Sequence, residues 1–428
     1  MQESNNIIFF YPSMQIGGAE LLFARIAKYL CEEYNLNVFY IDYKNGFIRN
    51  NPIYKNLSFI DYENGLKTSI DFEGTIVTPI SNIYRITDYI DFNNNQLKIF
   101  FWSIHPYNVV HVMPESELCI NISSIVIPII LKIFANYNYN IFKNLLKQFS
   151  LLNSIVYMDK TNFDFNKSIF GNILFPAFLP IVSVNKNKMT KKEPVSQNEI
   201  NIAILGRLCK EKTTSLINVL NNFNNLKTEK KQIVHIIGDG ECKELIQIQK
   251  YKNLNIKFIG ILQDDELDNY LMNNVDILFA MGTSLLEGAA LKLPVVSIPY
   301  SYKNFKYSKF LYLHEINGYN VGLSLSEYCH CANKTFVNII EDIYEKGMKK
   351  EIGEKCYEYF INNHSTISVC EKLLKYIKKN KLFINKYIKI KQDSQIIKKN
   401  KNFGYKIIRS YIRHATKWLY CNCSWISW

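Results

Sequence analysis

The chain alternates short apolar runs with amphipathic stretches, and the alternation occurs twice. In the first half, runs at 7–11, 36–41, 57–60, 75–78, 98–105, 154–158 and 172–175 are too short for helices and read as strands. Between them Leu21, Leu22, Ala24, Ile26, Ala27 and Leu30 recur at helical spacing, 81–89 repeats the pattern weakly, and 116–152 holds two further helices. The second of these sets Lys143 and Lys147 against Phe142, Leu145, Leu146 and Phe149, a face suited to core packing or to a membrane. Residues 183–199, rich in Lys and Asn and without apolar period, read as a linker. The rhythm then restarts, with strands at 202–205, 234–237, 256–259, 275–280 and 294–298 and helices at 213–223, 241–251, 264–272 and 284–293. Helices at 335–346 and 352–362 follow. The pattern predicts an α/β chain of two doubly wound domains, 1–182 and 200–371, facing one another across a cleft.

The stretch 275–299 organises this reading: a buried strand, the turn Met281-Gly-Thr-Ser284, a helix with little polar face, and Pro294 before the next strand. In such sheets ligands sit at the carboxyl ends of strands, where helix N-termini offer unpaired N–H groups to phosphate. Glu287, one helical turn beyond Ser284, is placed there with two readings open: a capping box in which it bonds the Ser284 N–H, or a free carboxylate for a ligand. Gly17-Gly18, between the first strand and its helix, either lets a ligand approach the backbone or makes an ordinary tight turn. His105 closes an apolar strand, where an imidazole suits proton transfer or phosphate contact and where a packing role also fits. Arg207 and Lys212 flank one strand-to-helix loop, a forked guanidinium and a mobile ammonium suited to a diphosphate, or a solvated basic loop.

Charge narrows the field. The formal charge of +13 belongs to the end of the chain: residues 372–428 hold fifteen Lys or Arg against Asp393 alone, which leaves 36 basic and 37 acidic groups before them. A nucleic-acid partner is therefore not expected. Within 402–420, Ile408, Tyr411, Ile412, Ala415, Trp418 and Leu419 share one helical face and Lys406, Arg409, Arg413 and Lys417 the other, with Trp425 and Trp428 following. This basic amphipathic tail, 372–428, fits an anionic bilayer surface or a helix packed on the enzyme body. Ten cysteines without a C-x-x-C pair, and no signal peptide, point to reduced thiols in a cytoplasm; Cys329-His-Cys331 and Cys421-Asn-Cys423 are too close and isolated for zinc. No uncharged apolar stretch reaches 18 residues, so no membrane span is expected.

Taken together, Gly17-Gly-Ala-Glu20, Gly206-Arg207 with Lys212 five residues on, Gly238-Asp-Gly240, Phe258-Ile-Gly260, and Leu286-Glu287-Gly-Ala-Ala with Pro294-Val resemble the GT-B glycosyltransferases of the glycogen-synthase-like clan, family four. The resemblance covers roughly residues 5–365, in order. It implies two Rossmann-like domains holding a nucleotide-diphosphate sugar, with Arg207 and Lys212 on the diphosphate and Glu287 on the ribose. It further implies that Gly17 and Gly18 approach donor phosphate or acceptor, that His105 lines the catalytic centre, and that no metal or other cofactor is required. Many members have a second Glu eight positions before the one matching Glu287, beside the donor sugar; here that position is Phe279. The variant resembles a bacterial surface-polysaccharide subgroup in which Gly282, Thr283 and Ser284 would substitute as a backbone and hydroxyl cradle. The expected function is transfer of a sugar, with retention, to a glycan or lipid-linked glycan by a cytoplasmic enzyme peripheral at the inner face of the membrane. The competing expectations are a catalytically degenerate homologue acting as an assembly partner and a sugar-nucleotide epimerase.

Overall fold

The computed structural model describes residues 6–394 apart from 16, 114–115, 120–125, 184–185, 187–197, 263 and 302–304. The helix expected at 402–420 and most of the expected linker lie outside the described residues. The chain divides into two compact units: one runs up to Leu179 and resumes at Cys370, the other is Pro180–Val369.

The first unit contains β1 (Asn6–Phe10), β2 (Asn37–Tyr43), β3 (Ser58–Tyr62), β4 (Thr68–Ile70), β5 (Thr75–Pro79), β6 (Ile90–Phe92), β7 (Lys98–Ser103) and β8 (Ile155–Tyr157). Six of these form a parallel sheet in the order β3-β2-β1-β5-β7-β8, while β4 and β6 pair as a small ribbon. Helices cover both faces of a parallel sheet, so its strands read as unbroken apolar runs. Phe9, Phe10, Phe100, Phe101 and Trp102 are accordingly buried.

Three local expectations change here. Residues 172–175 form a turn, since Gly171 at φ 84° diverts the chain; Leu174 is buried but Phe175 is exposed, and Phe178 instead bridges to Tyr157. Residues 81–89 form only the 3-10 turn Ile80–Asn82 and one helical turn, Ile86–Tyr89. β7 stops at Ser103, two residues short of His105. The described start of the basic stretch also packs as core: Ile384, Tyr387 and Ile390 of the helix Ile384–Asp393 are buried in this unit, and Tyr387 Oη donates to the Ile83 carbonyl at 2.8 Å.

The second unit contains β9 (Glu199–Leu205), β10 (Lys231–Ile237), β11 (Leu254–Gly260), β12 (Ile277–Ala280), β13 (Val295–Ser297), β14 (Lys309–Tyr312) and β15 (Lys334–Thr335), in the order β11-β10-β9-β12-β13-β14-β15. The first five are parallel, and β14 and β15 add antiparallel edge strands that the apolar pattern does not announce. Chain order runs outward from β9 to β11 and then returns to β12 on the other side of β9. The carboxyl ends of β9 and β12 therefore bound the topological switch point, where open α/β sheets bind ligands. The helix Thr283–Ala290 lies tight on this sheet because Gly288 has no side chain: a Cβ there would overlap Leu278 and come 3.1 Å from Val295 Cγ2. This helix ends at Ala290, and Lys292 turns into the left-handed region at φ 59° before Pro294. The expected helix 241–251 is short, Lys243–Gln247, and 335–346 becomes Phe336–Ile340 followed by a wider π turn.

Candidate functional site

Three glycine loops at the carboxyl edge of the second sheet are fastened to one another by backbone. The Gly206 N–H donates to the Ile237 carbonyl at 3.0 Å, the Gly238 N–H to the Gly260 carbonyl at 2.7 Å, and the Leu208 N–H to the Asp239 carbonyl at 3.0 Å. The loop after β12 is tied separately, Gly282 N–H to the Val321 carbonyl at 2.7 Å. Because β9 and β12 pair directly, with Leu205 opposite Ala280, the loops after them stand side by side at the switch point.

Lys212, in the first turn of the helix Lys210–Asn224, and Ser284, in the first turn of Thr283–Ala290, converge there. A Cβ placed on Gly206 would lie 3.3 Å from Lys212 Nζ and 3.7 Å from Ser284 Oγ. The two polar atoms are thus no more than 7.0 Å apart, the sum of those distances, and one phosphate group can accept from both. Burial holds the Lys212 ammonium below its usual pKa, with the Arg207 charge acting the same way against Cys209 and Glu211. An anion would reverse that burden. Gly282, the N-cap, stands at φ 67°, and Thr283 beside it is exposed.

Arg207 is less committed than its neighbour. Its side chain is 74% exposed and pairs loosely with Glu211, NH2 to Oε1 at 3.7 Å, one helical turn away. Cys209 and then Glu211 act on the guanidinium, which stays mostly in solvent, and the ion pair itself contributes little to stability.

The capping reading of Glu287 does not hold. The helix N-cap is Gly282, and Ser284 already lies inside the helix, so Glu287 has no cap N–H to accept from. Its Oε2 instead meets Lys186 Nζ at 2.9 Å, and its Oε1 accepts from Ser183 Oγ at 3.5 Å. Lys186 also reaches Asp268 Oδ1 at 3.1 Å. Burial works against the Lys186 ammonium, but Glu287 and then Asp268 outweigh it and raise its pKa. Asp268 is displaced upward, first by burial, with Lys186 opposing and the charges of Glu287 and Asp265 adding to the shift. Lys186 and Asp268 carry no signal in the sequence: one sits in a Lys-rich stretch and the other on a polar helix.

Phe279 is wholly buried. Its ring stacks on Phe336 at 5.6 Å and 14° and meets Phe310 edge-on at 5.8 Å. The position at which the sequence resemblance leads one to expect a carboxylate is here part of an aromatic core.

The first unit presents its own candidates at the carboxyl edge of its sheet. Gly17 caps the helix Gly18–Glu33 at φ −151°, an extended conformation open to any residue, and a Cβ on Gly18 would meet nothing within 4 Å. The pair is therefore not required by backbone geometry, and Glu20 folds back over Gly17. His105 caps the 3-10 turn Pro106–Asn108: its Nδ1 accepts the Tyr107 N–H at 3.2 Å. With Nδ1 occupied as acceptor, the neutral ring carries its proton on Nε2. Desolvation, then the nearby His111, keep its pKa below the ordinary value. Among the described residues, no group of three or more His, Cys, Asp or Glu is arranged to hold a metal ion.

No protein-family model and no curated protein matches the chain. Solved structures do. A glycosyltransferase from Rickettsia africae is 16% identical with a TM-score of 0.52, covering 89% of this chain and all of its own. A sucrose-phosphate synthase from Thermosynechococcus elongatus is 10% identical with a TM-score of 0.51, covering 87% of this chain and 98% of its own. At these identities the likeness shows the fold, which is GT-B.

Proposed function

We propose that the chain is a glycosyltransferase that takes a sugar from a nucleotide-diphosphate donor bound in the second unit and passes it to a glycan or lipid-linked glycan acceptor. The observation that carries this reading is the convergence of Lys212 Nζ and Ser284 Oγ on Gly206 at the switch point. An ammonium, a hydroxyl and two helix N-termini there suit a diphosphate leaving group, whose charge grows as the sugar departs. Arg207, exposed and weakly tied, would add a second cation. Glu287, one turn further, would accept the two ribose hydroxyls. His105 would line the catalytic centre and the Gly17–Gly18 turn would approach donor phosphate or acceptor, with retention of the anomeric configuration and no metal or cofactor.

The test is thermal stabilisation of the full chain by UDP, GDP, ADP and CDP, because a ligand of the native state raises its stability. A shift with one nucleotide that Arg207→Ala and Lys212→Ala both weaken supports the reading; no shift with any of them removes it. The burial of Phe279 favours one competitor, a nucleotide-binding homologue without turnover that acts as an assembly partner. Sugar transfer from the matching donor, with the product anomer read by NMR, separates the two.

We further propose attachment to the inner face of an anionic membrane. No helix among the described residues is long and apolar enough to cross one. The helix Ile127–Phe134 and the start of the next expose Ile129, Ile133 and Tyr137 four residues apart, with Lys132 alongside, and residues 126–151 contain no acid. An apolar row with cationic flanks suits a bilayer interface, and together with the basic stretch beyond 394 it would supply the two weak signals that stable attachment needs.

A further inference from the structure

Two carboxylates and one ammonium stand closer together in the second unit than nucleotide binding alone requires. Lys186 Nζ lies 2.9 Å from Glu287 Oε2 and 3.1 Å from Asp268 Oδ1, so the two acidic oxygens are at most 6.0 Å apart, the sum of those distances. The side chains of Asp268 and Lys186 are 5% and 15% exposed, whereas that of Glu287 is 24% exposed. The segment bearing Lys186 is pinned nearby: the Ser183 N–H donates to the His364 carbonyl at 3.0 Å, and Ser183 Oγ donates to Glu287. The charged groups facing the cluster are Asp265 and Asp268 from the helix Asp264–Asn274, Glu287 from Thr283–Ala290, and Lys186 itself.

We infer that Lys186 is a positioning residue for nucleotide recognition: it neutralises the buried Asp268 and thereby keeps Glu287 ionised and aimed at the ribose. This rests on the reading of Glu287 as the ribose acceptor. The physical reason is the behaviour of like charges. Two carboxylates this close, with one buried and no cation between them, take up a proton together. The protonated pair then bonds internally, carboxyl to carboxylate, and Glu287 is withdrawn from the ribose hydroxyls. With the ammonium in place both oxygens stay anionic, and the partly exposed edge of Glu287 remains available to ligand. Asp268 in turn holds Lys186 where Glu287 needs it.

The experiment is isothermal titration of the full chain with UDP, GDP, ADP and CDP at pH 6.0 and 8.5. For the nucleotide that binds, Lys186→Met is expected to weaken binding about tenfold at pH 6.0, where about nine in ten of the carboxyl pairs would then hold a shared proton, and to recover most of it at pH 8.5. Lys186→Arg keeps wild-type binding and shows that the site tolerates substitution. The double variant Lys186→Met/Asp268→Asn regains binding at pH 6.0, because the second charge is gone. Unchanged binding by Lys186→Met overturns the inference. So does a loss that is equal at both pH values and is not rescued in the double variant, which would make Lys186 a plain anchor for its segment. Wild-type binding that Glu287→Gln leaves intact overturns the ribose role and this inference with it, while leaving the diphosphate reading standing. No binding by the wild type overturns the donor-site reading itself.

Discussion

Gly238 lies directly against the carbonyl of Gly206: a Cβ there would come 2.9 Å from the carbonyl carbon and closer still to its oxygen, and Gly238 sits at φ 130°. Gly238→Ala therefore meets both a steric overlap with backbone and a left-handed strain, costing about 1–3 kcal/mol. The loop after β9, which leads into the helix bearing Lys212, must shift to relieve it. The expected outcome is a lower melting temperature together with weaker nucleotide stabilisation, whereas Gly18→Ala, with open space around it, leaves stability unchanged or slightly raised.

Phe279 belongs to the core, so a carboxylate at this position would be buried among aromatic rings. Phe279→Glu places an unpaired charge among Phe310 and Phe336 and is expected to prevent folding or to cost at least about 3–5 kcal/mol. Phe279→Leu, which keeps the site apolar, costs about 1–1.5 kcal/mol and leaves nucleotide binding intact. Denaturant unfolding followed by nucleotide titration distinguishes these outcomes.

Lys212 is held at a cost. Its folded pKa is depressed, chiefly by burial, so its contribution to stability is unfavourable wherever it is protonated and vanishes as pH rises to the unfolded value near 10.5. Lys212→Met is expected to raise the melting temperature at pH 7, with the gain shrinking toward pH 10. The same substitution removes diphosphate binding. Opposite signs in the two measurements would mark a residue kept for its ligand rather than for the fold.

His235 gives the fold an acid limit. Its ring is buried between Tyr270 Oη at 2.8 Å and Asn201 Oδ1 at 3.3 Å, and desolvation, with Lys257 adding to it, lowers its pKa to about 4. His314 is lowered to about 4 by the same leading cause. The unfolded chain binds these protons near pH 6.5 and the folded chain does not, so stability is full above that pH and falls as pH drops toward 4. A loss of up to about 3 kcal/mol is expected for each ring. His235→Gln should flatten the pH dependence of denaturant unfolding across this window, leaving the contributions of His314 and His105.

Ile133 is 67% exposed and contributes little to the core. Ile133→Asp is expected to leave the melting temperature within about 1 °C, as a surface change does, and to reduce flotation with phosphatidylglycerol vesicles. Flotation equal to wild type would remove this helix from the proposed membrane face.

The sequence by itself determined the two α/β halves, because fully buried parallel strands must be continuous apolar runs and glycines must follow them where loops approach closely. It also brought Gly206, Lys212 and Ser284 into consideration, since strand-to-helix loops carry their residues at short, regular spacing. Only the tertiary structure decided what each acid and cation faces. On spacing alone Glu287 read as a cap, until Gly282 took the cap position and Lys186, about a hundred residues away, took the carboxylate. Phe279 stands where the sequence resemblance leads one to expect a Glu, but only packing against Phe310 and Phe336 showed that the position faces the core. Asp268, Lys186 and the antiparallel strands β14 and β15 were not legible, because ion pairs across distant segments and edge-strand pairing leave no local periodicity to read.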